Sequence, residues 1–300
     1  MNALDAILEK KIRLIDYEKI TDEKNNRLIA FGKYAGIAGA IDFLKGLGEY
    51  IMQMGISTPL LNSNCSYKYF DLDEAYAHLK KIGKKMVEKE IPEEFRPMIF
   101  AITGRGRTAK GCLEVLKNLP ITEVGPNEVE GLYLNKKNPN HRKTIYVVNI
   151  NSEDTIVNRD PAKKFDKDDY YKNPTEYTTN FQTKYLPYIS ALFHCIYWDV
   201  GCPVYITNNN LKELAEKKSL RLLGICDISC DLNGSIECLQ EYTQPEQPFF
   251  YHNSLTGEQS ANNTFEPFKF PYLAVDFLPC ELAYDACKFI LNQQCILADF

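Results

Sequence analysis

The sequence predicts an α/β protein of two lobes, the second a doubly wound, mostly parallel sheet. Three observations predict it. An apolar run, Met98–Ile102, leads through Thr103 into the glycine-rich stretch "GRGRTAKG" and then into a helical stripe. Strand and helix patterns alternate from there onward. The chain is 300 residues long, about twice the usual single-domain size.

In order, Leu4, Leu8 and Ile12, with Ile7 beside them, recur at helical spacing over residues 3–12. "KIRLIDYEKI" reads as extended, "TDEKNN" as a polar turn and "RLIAFG" as a short apolar run. A long helix follows over residues 34–54, starting with Ala35, Gly36, Ala38, Gly39 and Ala40, small residues that let its backbone approach a neighbour closely. "DLDEAYAHLKKIGKKMVEK" is an amphipathic helix, and "EIPEEFRP", with two prolines, is a linker. This divides the chain into 1–93, a first lobe, and 94–278, a dinucleotide-binding domain.

The second domain opens strand, helix, strand: "MIFAIT", "KGCLEVLKNL", "ITEV". The runs "TIYVVNI", "YISALFHCIYW", "PVYIT", "RLLGICDIS" and "YLAVDFLP" follow, each bounded by turn signals. Asn151 to Gln182 is polar and reads as a long surface excursion. "CELAYDACKFIL" closes the pattern as an amphipathic helix, and no internal repeat is present.

Composition narrows the function. A net charge of -5, with charge runs of mixed sign, argues against a nucleic-acid binder. "LIAFGKYAGIAGAIDFLKGLGEYIM" is interrupted by Lys33, Asp42 and Lys45, so no membrane span is expected. The N-terminus is too charged for a secretory signal and carries acids that a transit peptide usually lacks, which leaves the mitochondrial matrix or the cytoplasm. The ten cysteines contain no C-x-x-C pair, and Cys226, Cys230 and Cys238, the tightest group, have no histidine beside them. No metal site is expected, and Cys195 and Cys226 sit in apolar runs as small hydrophobes.

The glycine turn carries the chemistry. Gly104 and Gly106 hold the first two positions of G-x-G-x-x-G, and Ala109 takes the third. The following helix would present unpaired N–H groups to phosphates, making Gly104, Arg105, Gly106, Arg107 and Thr108 the candidate cofactor residues, in a working or an ancestral site. The next strand in sequence, "ITEV", ends at Val124 and Gly125 without an acid at its tip, although Glu123 lies one residue short. With Arg105 and Arg107 nearby, this favours a 2′-phosphate, hence NADPH.

"IRLIDYEKITDEKNNRLIAFGKYAGIAGAIDFLKGLG", "TGRGRTAKG", "PYISALFHCIYWD", "ICDISCDLNGSIE" and "AVDFLPCELAYDA" together resemble the lysine–ketoglutarate reductase region of aminoadipic-semialdehyde synthases and the related saccharopine dehydrogenases. The resemblance runs from about residue 12 to about residue 290. It implies the fold of the alanine dehydrogenase and transhydrogenase group, two Rossmann-like lobes with the cofactor in the cleft between them; the first lobe is then truncated, residues 1–93 being the remainder of an N-terminal lobe joined by a returning C-terminal helix over 279–300. It also implies condensation of the lysine ε-amine with 2-oxoglutarate and reduction of the imine by a nicotinamide cofactor. By resemblance, Glu18 in "DYEK" is an active-site carboxylate, Arg27 in "NRLIAFG" engages a substrate carboxylate, and Asp276 in "VDFLP" and Asp227 in "ICDIS" face the cleft. Two plainer readings stay open: Glu18 and Arg27 pair across a hairpin turn, and Asp276 caps the helix that follows.

The resemblance further implies a lysine and a histidine that act as an acid–base pair in a segment ahead of residue 1. None of His78, His141, His194 and His252 lies in a block matching it. Two expectations follow. Either the chain binds NADPH and acts on lysine and 2-oxoglutarate when a second polypeptide supplies the pair, or it is an inactive paralogue serving as a structural subunit. In both, Leu4, Leu8, Ile12, Leu14 and Ile15 would line a surface covered by another chain.

Overall fold

The computed structural model describes residues 3–25 and 27–292. The helices are α1 (Ala3–Glu9), α2 (Gly32–Gln53), α3 (Leu72–Lys89), α4 (Arg107–Leu116), α5 (Val129–Leu134), α6 (Ser152–Thr155), α7 (Lys167–Lys172), α8 (Phe181–Lys184), α9 (Asn208–Glu216) and α10 (Ala283–Asn292). The strands are β1 (Met98–Thr103), β2 (Ile121–Val124), β3 (Ile145–Ile150), β4 (Ile156–Asn158), β5 (Tyr177–Thr179), β6 (Ala191–His194), β7 (Ile225–Asp227), β8 (Phe249–Asn253), β9 (Gln259–Ser260) and β10 (Lys269–Leu273).

Every residue of β1 is buried, as expected of a strand covered on both faces. The sheet builds outward from it in the order β2-β3-β1-β6-β7-β10-β8-β9. Neighbours from β2 through to β10 run parallel, while β8 and β9 pair antiparallel at one edge. This is an α/β fold around a mostly parallel, mixed eight-stranded sheet. The strand next to β1 is β3, in register from Met98 opposite Ile145 to Thr103 opposite Ile150. The strand that follows β1 in sequence, β2, is displaced outward to pair with β3 alone.

Alternation along β1 splits the core in two. Phe100 and Ile102 face a cluster with α2, α3 and α4; Ile99 and Ala101 face one with α5, α8, α9 and the 152–188 excursion. The excursion is therefore no loose loop. β4 and β5 pair antiparallel within it, and Tyr170, Tyr177, Phe181 and Tyr185 bury their rings. "PVYIT" forms no strand, only the bridge Ile206–Ile236, and β8 and β9 add an edge that the apolar pattern does not mark. Of the returning C-terminal segment, residues 293–300 lie outside the described residues.

The small residues of α2 permit a close helix crossing. A Cβ on Gly36 would overlap the Thr108 carbonyl, and one on Gly111 would overlap the Lys33 carbonyl. Gly111, two residues past the glycine motif, thus serves helix packing. α2 also carries Asp42, fully buried, whose carboxylate accepts from Ser66 N–H at 2.6 Å. The Ser66 hydroxyl lies 3.3 Å from Asp42 Oδ2 and 2.8 Å from Glu281 Oε2. One hydroxyl proton cannot serve both carboxylates, so burial and mutual repulsion push Asp42 well above the usual carboxylate range. Ahead of β1 and β6, Arg221 donates to the carbonyls of Tyr188, Phe95, Arg96 and Pro97 at 3.1–3.5 Å. Its guanidinium lies 4.9 Å from the centre of the Tyr133 ring.

Candidate functional site

The carboxyl ends of β1, β3, β6 and β7 open onto a cavity of about 530 Å³, the place where open α/β sheets bind ligands. β1 runs into Gly104, which has φ +82° and whose Cβ would sit 3.1 Å from the Cys195 carbonyl. Only glycine fits this turn without strain. Gly106 then caps α4, and nothing lies within 4 Å of where its Cβ would stand. No side chain caps the helix start, so its first N–H groups and partial positive charge are left for an anion.

The neighbouring strand tips are tied together. Gly104 N–H donates to the Ile150 carbonyl at 2.8 Å, and Cys195 N–H donates to Thr103 Oγ1 at 3.0 Å. Thr103 Oγ1 lies 3.0 Å from His194 Nδ1, and His194 Nε2 lies 2.6 Å from Ser235 Oγ. Burial pushes His194 down to about 3. A neutral ring that accepts from Thr103 and donates to Ser235 uses every group once. His194 is a strut between strand tips and does not line the cavity.

Of the candidate cofactor residues, Gly104, Arg105, Gly106 and Thr108 line the cavity. Arg107 turns away: it donates to the Arg27 carbonyl at 3.0 Å and so holds the N-terminal hairpin against the turn. In that hairpin, bridged Thr21–Arg27, Arg27 and Glu18 form an ion pair at 3.6 Å, with both side chains more than half exposed. The pairing across a hairpin is what the structure shows; neither side chain lines the cavity.

The placement of Asp227 corrects the expectation. It sits at the end of β7, but its carboxylate turns inward, accepting from Tyr272 O–H at 2.6 Å and Cys230 N–H at 3.1 Å. Burial raises it to about 6. The aspartate that faces the cavity from beyond β7 is Asp231, also raised to about 6 by burial and by the nearby Asp227, Asp199 and Asp276. Asp276 is exposed beside it. It does not cap the 3-10 turn Leu278–Leu282, whose capping position is Phe277.

The strand order removes the tip of β2 as a reason for NADPH. Val124 and Gly125 end a strand that does not touch β1, and Glu123 pairs with Lys117 at 3.2 Å. The tip beside the glycine turn belongs to β3 and carries Asn151, Ser152 and Glu153 into the cavity. Glu153 pairs with Arg105 at 2.9 Å. Across from them, Lys167 and Tyr171 of the excursion and Tyr197 complete the wall. Sequence reading misses these residues; the polar, tyrosine-rich composition of 151–182 is the one signal that could have found them. Among the described residues no group of three His, Cys, Asp or Glu side chains could hold a metal, and no helix is long and apolar enough to cross a membrane.

No family model matches the chain. It is 39% identical over 295 residues to alpha-aminoadipic semialdehyde synthase of Arabidopsis thaliana, covering 96% of this chain and 27% of that protein. The mitochondrial alpha-aminoadipic semialdehyde synthases of Mus musculus and Bos taurus are 31% and 30% identical over 302 residues, covering 96% of this chain and 32% of each. The chain thus spans under a third of the length of these relatives. Among solved structures, an L-alanine dehydrogenase aligns with a TM-score of 0.44 and 14% identity over 93% of this chain and 56% of that one.

Proposed function

We propose that this chain, homologous to one section of alpha-aminoadipic semialdehyde synthase, is a nicotinamide dinucleotide-binding oxidoreductase of the saccharopine-forming kind. The observation that carries the reading is the uncapped start of α4 behind Gly104 and Gly106, open to the cavity at the strand tips. The fit is direct: phosphates find N–H donors and helix charge where a side chain at Gly106 would otherwise stand. The N–H groups of the turn would hold the pyrophosphate, the Glu153–Arg105 rim the ribose, and the cavity near Asp231 the other end. A bound nicotinamide supplies the hydride that reduces an imine such as that between lysine and 2-oxoglutarate.

This chain's own residues bind and orient. Asp231, held near 6, takes or releases a proton at the cavity wall in the pH range where such chemistry runs. Among the described residues, the cavity lining contains no histidine. The acid–base pair implied by the resemblance is proposed to come from outside these residues, and a location in the mitochondrial matrix or the cytoplasm suits such a protein. Leu8, Ile12, Leu14 and Ile15 are 55–66% exposed, which supports a covering chain here.

That exposure also favours a second reading, a structural subunit that has lost turnover. Titration of the purified chain with NADPH and NADH by nicotinamide fluorescence separates the two. Saturable binding, lost in Gly106→Val, supports the oxidoreductase; absence of binding leaves the subunit.

A further inference from the structure

Arg105 and Glu153 stand at the one place on the rim where a dinucleotide's ribose would lie. They have opposite effects on what that ribose carries. A carboxylate at the strand tip beside the glycine turn accepts from a 2′-hydroxyl and repels a 2′-phosphate; an arginine there does the reverse. Here the two are paired at 2.9 Å through Arg105 Nη1 and Glu153 Oε1. Only one oxygen of Glu153 takes part in that pair, so the other is available to a ribose hydroxyl while Arg105 stays where it is. A 2′-phosphate must draw Arg105 away and then face the carboxylate it has uncovered. Both side chains are half exposed, 59% and 44%, and an exposed pair of this kind is readily surrendered to a stronger partner.

Two further charges face the same cavity. Lys167 makes no ion pair among the described residues, its ammonium lying 5.8 Å from the centre of the Tyr171 ring, and Asp231 stands on the same lining. The lining therefore carries two cations, Arg105 and Lys167, against two carboxylates, Glu153 and Asp231, a balance that neither demands nor bars a phosphate.

Resting on the dinucleotide reading above, we propose that Glu153 sets the choice between phosphorylated and unphosphorylated dinucleotide by occupying Arg105. The chain then accepts both NADPH and NADH with little discrimination. Its position explains why the acid escapes notice in the sequence. The displacement of β2 puts β3 beside β1, so the reading residue lies beyond the third strand of the series and not the second.

The test is a fluorescence titration of NADPH and NADH against the native chain, Glu153→Gln and Arg105→Ala, with circular dichroism melting to confirm that each surface variant is folded. The native affinities should agree within about tenfold. Glu153→Gln should release Arg105 and tighten NADPH relative to NADH by about tenfold or more, and Arg105→Ala should move the ratio about as far in the opposite direction. If both dinucleotides bind and the ratio in Glu153→Gln stays within about twofold of native, Glu153 does not read the ribose and the proposal is overturned while the site stands. If neither dinucleotide binds the folded native chain, the site reading itself fails and takes the proposal with it.

Discussion

The Gly104 amide donates to the Ile150 carbonyl at 2.8 Å, which fastens the turn after β1 to the tip of β3. A ligand seated on the glycine turn therefore meets Asn151, Ser152 and Glu153 on that side and Cys195 and Ile196 on the other. The two glycines of the turn are needed for different reasons, and substitutions distinguish them.

At Gly106 a side chain meets no protein atom within 4 Å and would instead fill the cavity. Gly106→Val should leave the unfolding free energy within about 1 kcal/mol of native while abolishing dinucleotide binding. Gly104→Ala should do the opposite, because φ +82° strains any Cβ: a loss of about 1–2 kcal/mol is expected from the left-handed conformation. Urea unfolding alongside cofactor titration reads both effects.

Gly36→Ala and Gly111→Ala should each wedge α2 away from α4, since their Cβ atoms would overlap backbone carbonyls that cannot swing aside. Overpacking of this kind costs about 1–3 kcal/mol. Because the overlapped carbonyl in the first case is that of Thr108, at the cavity wall, Gly36→Ala should also weaken dinucleotide binding, measured on the folded fraction.

The Asp42–Ser66–Glu281 site should make stability fall with rising pH. Both acids are raised in the folded chain, so folding takes up protons between the ordinary carboxylate range near 4 and their folded values. The stability is fully present below that range and is lost as pH climbs through the folded pKa. Asp42→Asn keeps an acceptor for Ser66 N–H and removes the charge. It should flatten the decline and raise the unfolding free energy at pH 8 by at least about 1 kcal/mol. Urea midpoints from pH 5 to 9 check this, and declines that run parallel in the native chain and in Asp42→Asn would contradict it.

Asp231 should follow the same sign at the cavity wall. Its value of about 6 predicts that Asp231→Asn melts higher than native at pH 8, by a margin that shrinks steadily towards pH 4 as the native side chain becomes neutral in the folded protein. Thermal melts at the two pH values suffice.

Leu8→Glu with Leu14→Glu should reduce concentration-dependent association and binding of a hydrophobic dye, with the unfolding free energy within about 0.5 kcal/mol of native, as for surface changes elsewhere. Both residues are more than 60% exposed, so the fold does not rely on their burial. Analytical ultracentrifugation reporting the same monomer for both chains, without dye uptake in either, would rule out the covered surface.

Elements with a strong period are legible in the sequence. α2 and α3 fall within a residue or two of their apolar stripes, and β1, β2 and β3 match their runs. What the sequence withholds is lateral order. "ITEV" and "TIYVVNI" look equally eligible to lie beside β1, and only packing decides that the more deeply buried one, β3, takes the inner place. The strand β8, between β10 and the edge strand β9, hides because "FFYHN" has no alternation to show. In the site, the glycine turn is visible from local backbone demands, but Glu153, Lys167 and Tyr171 come to the cavity through a folded excursion whose polar surface resembles a loop. Asp227 misleads for a related reason: a strand end fixes where a residue is, not which way its carboxylate turns.

Arg221 gives the sheet a bound spine. By gripping carbonyls that precede β1 and β6 from a residue that precedes β7, one guanidinium locks the entry points of three strands to each other, far from the cavity. The tips at the other margin are joined as well, Gly104 to Ile150 and Cys195 to Thr103. Clamped at root and tip, the strands meet a guest as one stiff floor, and its accommodation falls to the side chains above that floor.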